Sequence, residues 1–197
     1  MAENTERILV MGVGNPLMRD DGVGPRVVEL LLEGYRFPDN VEVVDAGTMS
    51  YMILDLLRDI DRLIIIDAVR ETGHPAGTVT RMTPEEIAPN QVPHSMHDIA
   101  LIDVLQAAEL MGSAPPAIAI GVQIDTIEDW VLELSPAVEA SVPIAAAAVL
   151  DELAALGSPG VPDEETDVHA QIIGALRSYA PMPEDPRPDA EGTDEPL

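Results

Sequence analysis

The fold is decided by the stretch RILVMGVGNPLMRDDGVGPRVVELL, which runs from Arg7 to Leu31. Its first part is a short run of branched apolar residues that ends in glycines, a pattern typical of a buried strand. Apolar residues then recur at helical spacing from about residue 23 to 34, where Gly34 can end a helix. The stretch therefore predicts a β-strand, a glycine-rich turn and an α-helix.

The alternation of strands and helices continues along the chain. The apolar run RLIIIDAV at 62–69 is typical of a strand covered on both faces. Segment 77–83 alternates apolar and polar residues just after a turn, so we expect an antiparallel strand there. The sequence predicts an α/β fold, a three-layer α/β/α sandwich around a five-stranded, mixed and mostly parallel sheet. The predicted strands span 7–14, 41–48, 62–69, 77–83 and 117–123, and the predicted helices span 23–34, 52–59, 98–111 and 136–156.

Beyond Gly157 the chain becomes rich in proline and acidic residues. Such a composition buries little apolar surface. We therefore expect residues 1–156 to form one domain, and residues 157–197 to form a largely flexible tail that is dispensable for function. One amphipathic piece of this tail predicts a short helix at 168–179.

The composition excludes several classes of function. A formal net charge of −26 disfavours nucleic acid and anionic membrane surfaces as partners. No apolar run approaches the length of a membrane span and the amino terminus lacks a secretory pattern, so we expect a soluble, cytoplasmic protein. Because the chain has no cysteine, a metal site or catalytic centre must use carboxylates, histidine or hydroxyls.

Acidic residues gather at the ends of the predicted strands. Asp20, Asp21, Asp45 and Asp67 follow or end strands whose carboxyl ends share one crevice, and His97 lies in a later loop. Such a cluster is costly without a counter-ion, and carboxylates with an imidazole suit a divalent first-row metal. Taken singly, Asp20 or Asp21 is more readily explained as a helix-capping residue and His97 as a surface histidine. Asp67 is harder to explain by stability alone, because a carboxylate ending a buried strand must be paired or solvated.

The glycines of the opening stretch also raise the question of dinucleotide binding. Gly12 and Gly14 match the start of the G-x-G-x-x-G pattern, but Leu17 stands where the third glycine belongs. The two adjacent aspartates lie where a pyrophosphate would meet the helix terminus. Asp45, which could bind a ribose, is the one feature in favour, so a nucleotide-dependent oxidoreductase is a weak alternative.

The chain resembles the hydrogenase maturation proteases over roughly residues 7–156. The stretch ILVMGVGNPLMRDDGVGPRVVELL is close to the family pattern G-x-G-N-x-L-x-x-D-[DE]-x-x-G, and VDAGT, LIIIDAV and HDIALIDVL follow in the family's order. The resemblance implies an endopeptidase that removes the carboxyl-terminal extension from the large-subunit precursor of nickel-iron hydrogenases after nickel insertion. Asp21, Asp67 and His97 match the metal-binding positions of the family, and Asp20 and Asp45 match acidic positions near the cleft.

The resemblance also implies that nickel is supplied by the precursor and is not held permanently. Asp21, Asp45 and Asp67 are the candidate catalytic residues. Nickel could polarise the scissile carbonyl or a water while Asp21 or Asp45 acts as general base, or the carboxylates could act as in aspartic proteases. We expect a monomer whose partner is the precursor. The main alternative is a non-catalytic nickel-binding chaperone or docking factor for hydrogenase assembly.

Overall fold

The computed structural model describes residues 6–48, 53–83, 86 and 101–178 of the chain. Its first elements are strand β1 (Ile8–Val13), a 3₁₀ turn (Arg19–Gly22) and helix α1 (Val23–Gly34). Every residue of β1 is buried, as expected for an apolar strand covered on both faces. The strand, turn and helix predicted from the opening stretch are therefore confirmed.

The other elements form a mixed sheet with helices around it. They are strands β2 (Tyr35–Arg36), β3 (Val41–Gly47), β4 (Arg62–Val69), β5 (Val79–Met82), β6 (Ala117–Gln123) and β7 (Val161–Pro162), and helices α2 (Ile53–Leu56), α3 (Leu101–Leu110), α4 (Pro136–Ala155) and α5 (Val168–Ser178). The main sheet has the order β3, β1, β4, β6, β5. Only its edge strand β5 runs antiparallel to its neighbour, which confirms the predicted five-stranded, mostly parallel sheet.

Helices cover both faces of the main sheet. Because side chains alternate along a strand, Ile64 and Ile66 of β4 point to one face, while Leu63 and Ile65 point to the other. Helices α1, α4 and α5 pack on the first face, and α2 and α3 pack on the second. This arrangement is the predicted three-layer sandwich. No helix in the described part of the chain is long and apolar enough to cross a membrane.

Two predicted elements are shorter in the structure. The helix expected over 52–59 ends at Leu56, and Asp59 in the turn that follows has a left-handed backbone with φ 58°. The strand expected over 77–83 begins only at Val79, because Gly77 has φ 83° and so lies outside the extended region. The first residues of the helix expected over 98–111 lie outside the described residues.

The short helix predicted at 168–179 is confirmed as α5, but it packs on the core. It lies against α1 and α4, and its Val168 and Ile172 are buried in the core. A Cβ on Gly34 would lie 2.3 Å from Cγ1 of Val168, so α1 and α5 meet where only a glycine fits. Helix α5 thus buries apolar surface even though the chain around it is rich in proline and acidic residues. Residues 179–197 lie outside the described part.

Polar contacts hold the same segment. The Tyr35 hydroxyl lies 2.7 Å from Nδ1 of His169 in α5, within hydrogen-bond distance. Burial raises the pKa of the Tyr35 phenol, which favours its protonated form. Strands β2 and β7 pair beside it, and Arg36 forms an ion pair with Asp163. Contacts with the core therefore extend beyond the predicted domain boundary at residue 156.

We expect truncation after Leu156 to lower the free energy of unfolding by about 3 kcal/mol or more, because burying Val168 and Ile172 contributes roughly 1.5–3 kcal/mol each. Truncation after Ser178 removes none of these contacts and should change it by less than about 0.5 kcal/mol. Urea denaturation of the full chain and both truncated chains measures the difference. Equal stability of the full chain and the chain ending at Leu156 would contradict this account of α5.

Candidate functional site

Helix α1 begins in direct contact with the carboxyl ends of β1 and β4. A Cβ on Gly24 would lie 2.2 Å from the carbonyl oxygen of Val13 and 2.6 Å from that of Ile66. A Cβ on Gly12 would lie 2.5 Å from the carbonyl oxygen of Gly24. Glycine at both positions lets the backbones of helix and strands touch. This contact places the 3₁₀ turn at the carboxyl edge of the sheet.

The loop before the 3₁₀ turn folds back onto Asp21. Gly14 has φ 132°, and a Cβ there would lie 1.9 Å from the carbonyl oxygen of Asp21. The backbone N–H of Asn15 donates to Oδ2 of Asp21 at 2.8 Å. Oδ1 of Asn15 in turn accepts from the N–H of Leu17 at 3.0 Å. These contacts fix the position of the Asp21 carboxylate, which is fully buried.

Asp20 is also fully buried but has a different partner. Its Oδ1 accepts from the backbone N–H of Ser135 at 2.6 Å. Ser135 directly precedes α4, so the carboxylate lies at the positive end of that helix dipole. Oδ2 of Asp20 has no hydrogen-bond partner among the described residues. We call residues 14–22 the site loop. Asp20 therefore joins the site loop to the start of α4, where Ser135 lies 115 positions away in sequence.

Asp67 lies near the carboxyl end of β4 and is 3% exposed. Its Oδ1 accepts from the N–H of Ala68 at 2.8 Å. The 3₁₀ turn that carries Asp21 contacts β4, so both carboxylates lie at one edge of the sheet. Like charges that share a buried environment disfavour joint ionisation, and a cation relieves that cost. Two carboxylates of this kind fit a divalent metal brought to the site.

Asp45 differs from these residues because it is exposed. The register of β1 with β3 shifts here, so that Gly12 pairs with Asp45 and Val13 pairs with Gly47. Oδ1 of Asp45 accepts from the N–H of Gly47 at 2.9 Å, and Gly47 has φ 48°. The bulge leaves Asp45 in contact with solvent at the rim of the site.

A groove of about 1030 Å³ is lined by Asp45, by Leu32 and other residues of α1, and by the segment 132–134. The sequence analysis assigned no strand or helix to segment 132–134, so it did not predict a groove there. The structure joins the segment to the site loop by two backbone hydrogen bonds, from Trp130 to Leu17 and from Arg19 to Val131. The one signal available in the sequence was a pair of large apolar residues, Trp130 and Leu132, among acidic neighbours.

The predicted metal ligand His97 lies outside the described residues, as does His94. In the part of the chain that the structure describes, no group of three or more histidines and carboxylates is placed to hold a metal ion. The structure brings Asp21 and Asp67 to one edge of the sheet, and a site formed by these two residues with His97 stays a prediction.

Comparison with known proteins gives a consistent set of relatives. A family model described as hydrogenase maturation protease matches residues 25–152. The chain is 36% identical over 162 residues to the hydrogenase 2 maturation protease of Escherichia coli (strain K12), covering 80% of this chain and 97% of that protein. It is 36% identical over 155 residues to the hydrogenase expression/formation protein HupD of Rhodobacter capsulatus, covering 77% and 73% respectively.

Solved structures share the fold. The hydrogenase maturating endopeptidase HybD from E. coli matches with a TM-score of 0.73 at 35% identity, over 81% of this chain and 99% of that chain. The [NiFe] hydrogenase maturation protease HybD from Thermococcus kodakarensis matches with a TM-score of 0.58 at 27% identity, over 75% and 99%. The similarity therefore spans nearly the whole length of both solved chains.

We expect Gly24→Ala to lower the free energy of unfolding by at least about 3 kcal/mol, because the new Cβ would collide with two backbone carbonyls that cannot move independently. Gly174→Ala is the matched control, since this helical glycine has open space around its Cβ position. The control should gain roughly 0.5–1 kcal/mol from helix propensity. Urea denaturation measures both. A Gly24→Ala protein as stable as the wild type would show that the close contact is not required.

Proposed function

The chain belongs to the hydrogenase maturation protease family, and we propose that it removes the carboxyl-terminal extension from the large-subunit precursor of a nickel-iron hydrogenase after nickel insertion. One observation supports the nickel-dependent step: Asp21 and Asp67 are buried carboxylates at the same edge of the sheet. One relative of solved structure is a [NiFe] hydrogenase maturation protease, which agrees with this substrate class. In this proposal the protein acts as a cytoplasmic monomer.

Nickel reaches the site as part of the substrate. Asp21 and Asp67 would supply carboxylate oxygens to it, and His97 would supply a neutral imidazole nitrogen. Two carboxylates at one buried edge repel each other even when each accepts a hydrogen bond, and a nickel ion bound by both would offset that repulsion, so a precursor that lacks nickel would bind less well. Productive binding therefore depends on nickel, and the cleavage serves as a check that insertion is complete.

Asp45 suits the role of general base for peptide hydrolysis. It is exposed and lines the groove, whereas Asp21 and Asp67 are buried and would be engaged with nickel. A carboxylate beside the scissile bond takes a proton from water as the C–O bond forms, and returns it to the leaving amine as the C–N bond breaks. In the alternative, carboxylates cleave the peptide as in aspartic proteases and nickel serves for recognition only; if Asp21 and Asp67 were that pair, they would have to share a proton as well as bind the metal.

We expect Asp67→Asn and His97→Ala each to lower cleavage of the nickel-loaded precursor by at least about 100-fold, because each removes a nickel ligand. His94→Ala is the matched control and should reduce cleavage only mildly. Asp45→Asn should lower kcat while binding of the precursor persists, since it removes the base and leaves the ligands in place. Cleavage is followed by the mass of the precursor, and circular dichroism checks that each variant is folded.

If the Asp67→Asn and His97→Ala proteins both cleaved the nickel-loaded precursor at the wild-type rate, the proposal that these residues recognise nickel would be overturned. An inactive His94→Ala protein beside an active His97→Ala protein would instead mean that the wrong histidine has been assigned. If the wild-type chain binds the nickel-loaded precursor without ever cutting it, the protein is a chaperone and the protease function proposed for this chain is wrong.

A further inference from the structure

Four large apolar side chains stand exposed beside the site loop. Leu17 and Leu32 are nearly half exposed, Leu132 is 66% exposed and Trp130 is 82% exposed. The N–H of Trp130 donates to the carbonyl oxygen of Leu17 at 2.7 Å, and Leu32 and Leu132 line the groove together. We call these four residues the Trp130 surface. Large apolar side chains that stand exposed on neighbouring segments indicate an interaction site.

The groove beside the Trp130 surface is acidic. Asp45, Glu29, Glu133 and Glu139 line it. Among its described lining residues the one basic side chain is Arg26, which lies 2.7 Å from the Glu29 carboxylate and 3.8 Å from the Glu139 carboxylate. The charge of Arg26 is thus already offset. The groove carries a net negative charge beside apolar side chains, and it favours an occupant with basic and apolar groups.

The Trp130 surface is connected to the loop that carries the buried carboxylates. The N–H of Arg19 donates to the carbonyl oxygen of Val131 at 2.8 Å, and its guanidinium pairs with Glu128 at 2.9 Å. Arg19 has φ 52°, a left-handed conformation that a non-glycine residue keeps only where surrounding contacts hold it. The segment that carries Trp130 and the turn that carries Asp21 are therefore held together by a backbone hydrogen bond and an ion pair.

We propose that the Trp130 surface and its groove bind the hydrogenase precursor through a segment in which basic side chains are flanked by apolar ones. This inference rests on the proposed function, which makes the precursor the occupant. Asp45 lines the same groove, so a segment bound there passes the proposed general base. A second copy of this chain is disfavoured as the occupant, because it carries a net charge of −26 and the same acidic groove.

Steady-state cleavage of the nickel-loaded precursor by the full chain tests whether the apolar side chains of the Trp130 surface bind the precursor. We expect Leu132→Ser and Leu32→Ser each to raise KM by about tenfold, with kcat within about twofold of the wild type. Leu110→Ser is the matched control, because Leu110 is 91% exposed on α3 and is not among the residues that line the groove. Its KM should stay at the wild-type value. Wild-type KM in both groove variants would overturn the proposal.

The dependence of KM on salt concentration tests whether the acidic residues of the groove attract the precursor. Added salt should raise the wild-type KM, and Glu133→Lys should raise KM at low salt and weaken that dependence. If the Glu133→Lys protein had the same KM and the same salt dependence of KM as the wild type, the proposed attraction between the acidic groove and basic side chains of the precursor would be overturned.

Fluorescence separates docking from cleavage, since Trp130 is the single tryptophan of the chain. A tryptophan-free peptide of alternating arginine and leucine should shift the Trp130 emission to shorter wavelength, and a glutamate–leucine peptide of equal length should not. The same response to both peptides, or to neither, would overturn the proposal. A selective shift in a wild-type chain that never cleaves the nickel-loaded precursor would support the surface and refute the proposed function.

Discussion

The close contact between Gly24 and the carbonyl oxygens of Val13 and Ile66 is the constraint on which the site depends. It brings the first turn of α1 against the ends of two parallel strands, with no room for a side chain between them. The 3₁₀ turn before the helix must then lie at the carboxyl edge of the sheet. Asp20 and Asp21 are thereby buried, although the opening of the sequence carries no sign that these charges leave water.

The carboxylates at this edge divide into three roles. Asp20 accepts a hydrogen bond from Ser135 and joins the loop to the start of α4. Asp21 and Asp67 are buried at the end of the sheet, and in the proposed function they are the carboxylates that bind nickel. Asp45 stays exposed because the bulge in β3 turns the chain at Gly47. The glycine-rich turn resembles a phosphate-binding loop, but it carries buried carboxylates. Their negative charge disfavours the pyrophosphate of a dinucleotide at this position.

The sequence predicted the sheet well because each strand carries its own pattern. The four consecutive apolar residues at 63–66 in β4, and the apolar run that ends in glycines in β1, each predict a buried strand without reference to the rest of the chain. The packing of helix α5 on the core was not predicted, because the segment around it is rich in proline and acidic residues. Val168 and Ile172 are nevertheless buried, and Val168 fits against α1 only because residue 34 is a glycine. The hydrogen bond between Asp20 and Ser135 could not be predicted either, since the two residues lie 115 positions apart. The pairing of Trp130 with Leu17 runs through the backbone and leaves no side-chain pattern to detect. The role of His97 still rests on the family resemblance.

We infer a dependence of cleavage on nickel in the substrate, which the buried carboxylates impose. Its most direct test is incubation of the wild-type chain with precursor that has and has not received nickel, followed by mass spectrometry of the precursor. We expect loss of the carboxyl-terminal extension from the nickel-loaded form alone. Equal cleavage of both forms, or cleavage of the nickel-free form only, would contradict it.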